Sequence, residues 1–171
     1  MCNTNKKVAV IMGSDSDLGV MKSCVAALKK FGIEYEVRVI SAHRTPYEAE
    51  SFAKNAEENG FGVIIAAAGK AAHLAGVLAA YTVLPVIGVP IKSSTMDGLD
   101  SLLSMVQMPS GIPVATVAID GAENSALLAV QILSLGDAEL SEKMKQYKIA
   151  MAESVKQKDT AVGTKVEEML V

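Results

Sequence analysis

Short apolar runs alternate with longer periodic segments along this chain. Residues 8–12 form an unbroken apolar run, the pattern of a strand covered on both faces. Beyond the polar stretch Gly13-Ser14-Asp15-Ser16-Asp17, the residues Leu18, Met21, Val25 and Leu28 recur at helical spacing, and Gly32 stands where a C-cap belongs. Residues 35–40 read as a second strand. Thr45-Pro46-Tyr47-Glu48 joins a capping residue, a proline at the first helical position and a Glu three residues after the cap. That combination predicts a capping box and a helix from about 46 to 59, ending at Asn59-Gly60. Residues 63–67 make a third strand, followed by a turn at Gly69 and an Ala-rich helix as far as Ala80. A fourth strand spans 85–89, a helix 99–107 stops before Pro109, and a fifth strand covers 114–119. Asn124 is placed to cap a helix reaching Leu135, and Asp137 to cap a last one reaching Gln157.

Strands alternating with helices imply a parallel sheet joined by right-handed crossovers. The expected fold is α/β, a three-layer sandwich with a five-stranded parallel sheet plus a C-terminal helix. No period of about 20–50 residues points to a repeat array. The expected organisation is one α/β domain over residues 1–157, its C-terminal helix included, followed over 158–171 by a polar and then amphipathic tail (Val166, Met169, Leu170). The segment 71–80 is apolar on nearly every side, whereas a helix in a domain of this size keeps one wet face. Its second face is expected to pack against another subunit.

Composition narrows the function classes. Half of the 171 residues are hydrophobic and 20% are charged, which excludes a disordered chain and suffices for a core. Lys plus Arg is 16 against 19 Asp plus Glu, a net charge of −3 with no basic run, so no nucleic-acid partner held by phosphate neutralisation is expected. An anionic ligand must then be held by a few local donors. Cys2 and Cys24, with no CxxC and no Cys/His cluster, supply neither a disulfide framework nor a zinc site, and no metal is expected. They read as a tail thiol and a core thiol in a reducing compartment. The apolar start is too short for a signal peptide. Residues 71–91 carry no charge apart from His73, but Thr82, Pro85, Gly88 and Pro90 break them into a buried helix and a buried strand rather than a membrane span. The expectation is a soluble, cytoplasmic protein with no membrane partner.

In open α/β sheets, ligands bind beyond the carboxyl ends of the strands. Three loops fall there: Gly13-Ser14-Asp15-Ser16-Asp17, Ser41-Ala42-His43-Arg44-Thr45 and Ala68-Gly69-Lys70-Ala71-Ala72-His73. Both histidines of the chain lie in this set. The first loop can cradle an anion at a helix N-terminus, or simply cap that helix. It is neither a Walker loop nor GxGxxG, so a nucleoside triphosphate or a dinucleotide has no support. Asp15 or Asp17 can accept hydrogen bonds from sugar hydroxyls. Arg44 offers a forked donor set for phosphate or carboxylate, and His43 is a neutral-pH acid/base candidate. His73, between Ala72 and Leu74, reads more readily as a core or interface histidine. Lys70 is either an anion partner or a solvated loop residue. The turn Met108-Pro109-Ser110-Gly111-Ile112-Pro113 is either a ligand-facing edge or a crossover.

These residues resemble a known family. Met12-Gly13-Ser14-Asp15-Ser16-Asp17, Val39-Ile40-Ser41-Ala42-His43-Arg44-Thr45-Pro46, Ala71-Ala72-His73-Leu74 and Leu84-Pro85-Val86-Ile87-Gly88-Val89-Pro90 are similar to the N5-carboxyaminoimidazole ribonucleotide mutase family of de novo purine synthesis. Asp100-Ser101-Leu102-Leu103-Ser104, Val106-Gln107-Met108-Pro109 and Gly111-Ile112-Pro113-Val114-Ala115-Thr116-Val117-Ala118-Ile119 continue the match in register. The resemblance implies a flavodoxin-like sandwich, a homo-octamer, no metal or organic cofactor, and transfer of a carboxyl group from an exocyclic nitrogen to C4 of an aminoimidazole ribonucleotide. Carried onto matching positions, Ser14, Asp17 and Arg44 bind the ribonucleotide, His43 is the catalytic acid/base, and the loop 69–73 closes over the base. Ser16, Ser41, Gly69, Lys70, Ala71, His73 and Leu74 complete the expected substrate contacts. The chain departs from the family in carrying Lys70 for a second glycine, Ala75 for a proline, and a shorter stretch at 119–124. A sister class carboxylates aminoimidazole ribonucleotide directly with CO2 and carries Arg and Ser in the third loop; Ala71-Ala72-His73-Leu74 points to the mutase class. The non-enzymatic alternative, a flavodoxin-like nucleotide- or flavin-binding module, is opposed by the His-Arg loop and by the scarcity of aromatic residues.

Overall fold

The central apolar runs, 8–12, 63–67 and 86–91, become strands because each is roofed on both sides. The computed structural model describes residues 6–94 and 96–170. The strands β1 (Lys7–Met12), β2 (Tyr35–Val39), β3 (Phe61–Gly69), β4 (Val86–Ile91) and β5 (Ala115–Thr116) form one sheet in the order β2-β1-β3-β4-β5. Every pairing is parallel. The flanking helices are α1 (Leu18–Phe31), α2 (Pro46–Asn55), α3 (Leu74–Tyr81), α4 (Leu99–Val106), α5 (Ala122–Ser134) and α6 (Ala138–Met169). This is the expected α/β sandwich.

Successive strand residues point to opposite faces, so the central strands feed two cores. Val8, Val10, Val63, Ile65 and Ile87 pack with Met21, Cys24 and Leu28 of α1 and with Ala126 and Val130 of α5. Ala9, Ile11, Ile64 and Ala66 pack with Ala49 and Ala53 of α2, Leu78 of α3 and Met105 of α4. Each fully buried Val, Leu, Ile or Met contributes roughly 1.5–3 kcal/mol. Cys24 is the expected core thiol, fully buried, and that burial pushes its pKa up to about 11. Cys2, read as a tail thiol, lies outside the described residues.

Several local expectations are corrected. The capping box at α2 does not form. The Thr45 hydroxyl accepts the Ser41 N–H and donates to the Ser41 carbonyl, both at 3.0 Å, and Glu48 pairs with Arg38 at 2.6 Å. α2 stops at Asn55, and the chain turns through Gly60 at φ +83°. β3 is longer than predicted at both ends, and β5 keeps only two residues. α5 begins at Ala122 with Gly121 at its N-cap, which places Asn124 inside the first turn rather than at the cap. Asp137 caps α6 as expected, its carboxylate accepting the Leu140 N–H at 3.0 Å. α6 does not end near Gln157 but runs on to Met169. Its outer turns are exposed and carry ion pairs such as Lys156–Glu153, which support helix without tertiary packing. Among the described residues, no helix is long and apolar enough to cross a membrane.

Candidate active site

The strand order reverses direction at β1 and β3, so the connections leaving these two strands diverge to opposite sides and open a crevice above the sheet. A cavity of about 550 Å³ fills it. All the residues expected to touch substrate line it: Ser14, Ser16 and Asp17 from the loop after β1, Ser41, His43 and Arg44 from the loop after β2, and Gly69, Lys70, Ala71, His73 and Leu74 from the end of β3.

The first loop is held by its own hydroxyls. Gly13 extends the β1–β3 ladder through its N–H to the Ala67 carbonyl at 2.9 Å. Ser14 then caps a short 3₁₀ turn over Asp15–Asp17, its hydroxyl accepting the Ser16 N–H at 3.3 Å. The Ser16 hydroxyl lies 2.9 Å from Ser14 Oγ and 3.2 Å from Asp17 Oδ1. Asp17 is only 6% exposed. Burial pushes its carboxyl above the usual range, while hydrogen bonds from Ser16 and the Ser14 main chain pull it partway back. The two aspartates therefore part company: Asp17 lines the cavity and the exposed Asp15 does not.

Arg44 ties the second loop to the first. Its Nη2 donates to the Gly13 carbonyl at 3.0 Å, and its Nε and backbone N–H reach Ser41 Oγ at 3.3 and 3.2 Å. Anchored at one edge, the planar guanidinium presents its remaining donors as a rigid fork.

Two features of the third loop go beyond the sequence reading. Lys70 sits at φ +58°, the left-handed region, which costs a side-chain-bearing residue roughly 1–2 kcal/mol. His73 is not a core histidine. Its neighbours Ala72 and Leu74 are buried, but His73 is exposed because α3 starts immediately after it and turns its ring back over the strand ends. There His73 Nδ1 lies 2.9 Å from His43 Nε2, with the rings edge-on at 75° and their centroids 5.0 Å apart. One nitrogen of that contact must carry the proton and the other accept it.

Sequence reasoning missed a fourth wall. Ile91, Lys92, Ser93 and Ser94, at the end of β4, also line the cavity. The Lys92 N–H donates to Asp120 at 2.9 Å, its ammonium pairs with Asp97 at 3.3 Å, and the buried Ser93 hydroxyl donates to the Asp100 carboxylate at 2.9 Å. Topology was the available signal, because every strand of a parallel sheet delivers its following loop to the same edge. The turn 108–113 lies outside the cavity lining. Among the described residues, no group of three or more His, Cys, Asp or Glu could hold a metal ion.

A family described as AIR carboxylase matches residues 7–154. The N5-carboxyaminoimidazole ribonucleotide mutase of Pyrococcus horikoshii is 59% identical over 162 residues, covering 95% of this chain and 89% of the relative. The mutase of Thermotoga maritima is 57% identical over 152 residues, covering 89% of each chain. The crystal structure of Treponema denticola PurE matches with a TM-score of 0.83 at 35% identity, over 91% of this chain and 97% of that one.

Proposed function

The chain belongs to the AIR carboxylase family, and from that premise we propose that it is an isomerase of de novo purine synthesis, converting N5-carboxyaminoimidazole ribonucleotide to 4-carboxy-5-aminoimidazole ribonucleotide. The observation that carries the reading is an imidazole pair, His43 and His73 at 2.9 Å, beside the Arg44 fork in one cavity. The Ala71-Ala72-His73-Leu74 loop favours the mutase over the CO2-dependent carboxylase.

The chemistry balances with one acid/base group. His43 protonates the carbamate nitrogen, the N–C bond breaks, its electron pair stays on the nitrogen, and CO2 departs. C4 of the electron-rich aminoimidazole attacks that CO2, and the C4 proton passes to the imidazole, which is now basic. No oxidant, reductant or cofactor enters the balance. The protein's part is to keep CO2 beside C4 while the nucleotide stays bound, an advantage in proximity over release into water. Arg44, Ser14 and Ser41 hold the ribonucleotide phosphate, and Asp17 accepts from the ribose hydroxyls. Ser16, Gly69, Ala71, His73 and Leu74 pack around the aminoimidazole.

The working assembly is a homo-octamer in the cytoplasm. An exposed apolar stripe supports it: Met96 with Leu99, Leu103 and Val106 of α4, which a free monomer would leave in water. Tyr81 and Val83 at the end of α3 are exposed as well.

The test is an assay with each candidate substrate, with and without bicarbonate. Product from the N5-carboxy nucleotide without added bicarbonate is the expected result. Product formed only from aminoimidazole ribonucleotide plus bicarbonate would assign the carboxylase reaction instead.

A further inference from the structure

The proposed reaction needs two anion sites, one for the phosphate and one for the carboxyl group that moves, and the second has no residue yet. Three cations line the cavity: Arg44, Lys70 and Lys92. Arg44 is engaged by Gly13 and Ser41, and Lys92 by Asp97. Lys70 is exposed in the cavity, and no carboxylate among the described residues lies within ion-pair distance of it. Its backbone is held in the left-handed region, where glycine would sit without strain. Strain of this kind gathers at functional sites, where a side chain is needed in a place the backbone does not favour.

Position agrees with charge. β2 and β3 flank β1, so the loops bearing Arg44 and Lys70 leave the sheet two strand spacings apart, about 10 Å. That is the scale separating the phosphate of a ribonucleotide from a substituent on its base. The imidazole pair bridges the same two loops.

We propose that Lys70 is a specificity-determining residue whose ammonium binds the carboxyl group of the nucleotide, as carbamate in the substrate and as carboxylate in the product. The site thereby prefers carboxylated nucleotide over plain aminoimidazole ribonucleotide. This rests on the mutase reading of the cavity. Because CO2 is neutral, the contact is made with the two bound end states and lapses between them, so it belongs to affinity and selection rather than to the chemical step.

Calorimetric titration of wild type, Lys70→Gly and Lys70→Arg with the 4-carboxy product and with aminoimidazole ribonucleotide tests the assignment. Lys70→Gly relieves the strained backbone, so its thermal midpoint should equal or exceed that of wild type. It should weaken product binding about tenfold, the size of one charge-assisted hydrogen bond, and leave aminoimidazole ribonucleotide binding unchanged. Lys70→Arg keeps the charge and should retain part of the preference. Equal loss for both ligands, loss for neither, or an arginine variant as unselective as the glycine would overturn the role of Lys70 while leaving the mutase reading intact. Wild type that binds neither nucleotide would overturn both.

Discussion

Replacing His43 with asparagine separates proton transfer from everything else the residue does. Asparagine keeps a planar polar group of similar reach but cannot cycle a proton near neutral pH. A positioned acid/base contributes about 10²–10⁴ in rate, so kcat should fall by that factor, roughly 3–5 kcal/mol of barrier. The fold should be nearly indifferent. His43 is exposed, and its side-chain hydrogen bond is the 2.9 Å contact with His73. An exposed bond of that kind is worth about 1 kcal/mol, which in a domain of this size moves the midpoint by about 2–4 °C. Product affinity should survive because Ser14, Ser41 and Arg44 remain in place. The companion variant His73→Asn removes the same contact but leaves the His43 imidazole in place, so its rate loss should be smaller, about tenfold. The assay is mutase turnover for both variants, alongside product titration and thermal unfolding. Near-wild-type turnover by His43→Asn would refute the single-imidazole mechanism, and a larger loss in His73→Asn would move the acid/base role to His73.

Three further outcomes follow from other parts of the site. Arg44→Lys replaces a fork that now reaches Gly13 and Ser41 with a point charge, and should raise KM about tenfold with little change in kcat; an unchanged KM would remove Arg44 from the nucleotide. Asp17 has its pKa raised by burial above 3.8, so its contribution to stability is full below that value and is lost as pH rises through the folded-state pKa. Asp17→Asn should therefore flatten the acid side of the stability profile and raise the midpoint at pH 7, while weakening nucleotide binding; thermal unfolding against pH reads both arms, and a lower midpoint at pH 7 would contradict the sign. Gly98 sits at φ +95°, and a Cβ there would come within 2.7 Å of Ile119 and 3.1 Å of the Lys92 backbone. Gly98→Ala should destabilise the fold by about 1–3 kcal/mol and disturb the β4 wall of the cavity, measurable as a lower denaturation midpoint together with weaker product binding.

Much of this protein is legible in one dimension, because burial leaves a period in the chain. The runs at 8–12 and 63–67 are apolar at every position, which only a strand covered on both faces requires, and the sheet, its layers and its parallel sense follow. Once the strands are placed, so are their carboxyl ends, and Ser14, Asp17, Ser41, His43, Arg44 and Lys70 fall at the same edge without any knowledge of contacts. Polar partnership is different. Thr45 and Glu48 fit a capping box, yet Thr45 turned to Ser41 and Glu48 to Arg38, ten residues away. His73 fits an apolar helix, yet it faces a ring thirty residues away. The β4 wall with Lys92 and Ser93 joined the cavity through Asp120, Asp97 and Asp100. Each such hydrogen bond is worth only about 1 kcal/mol, and the competing local partner offers nearly the same. The choice is therefore made by which groups the packed layers bring within 3 Å, a quantity that exists only after the core has formed.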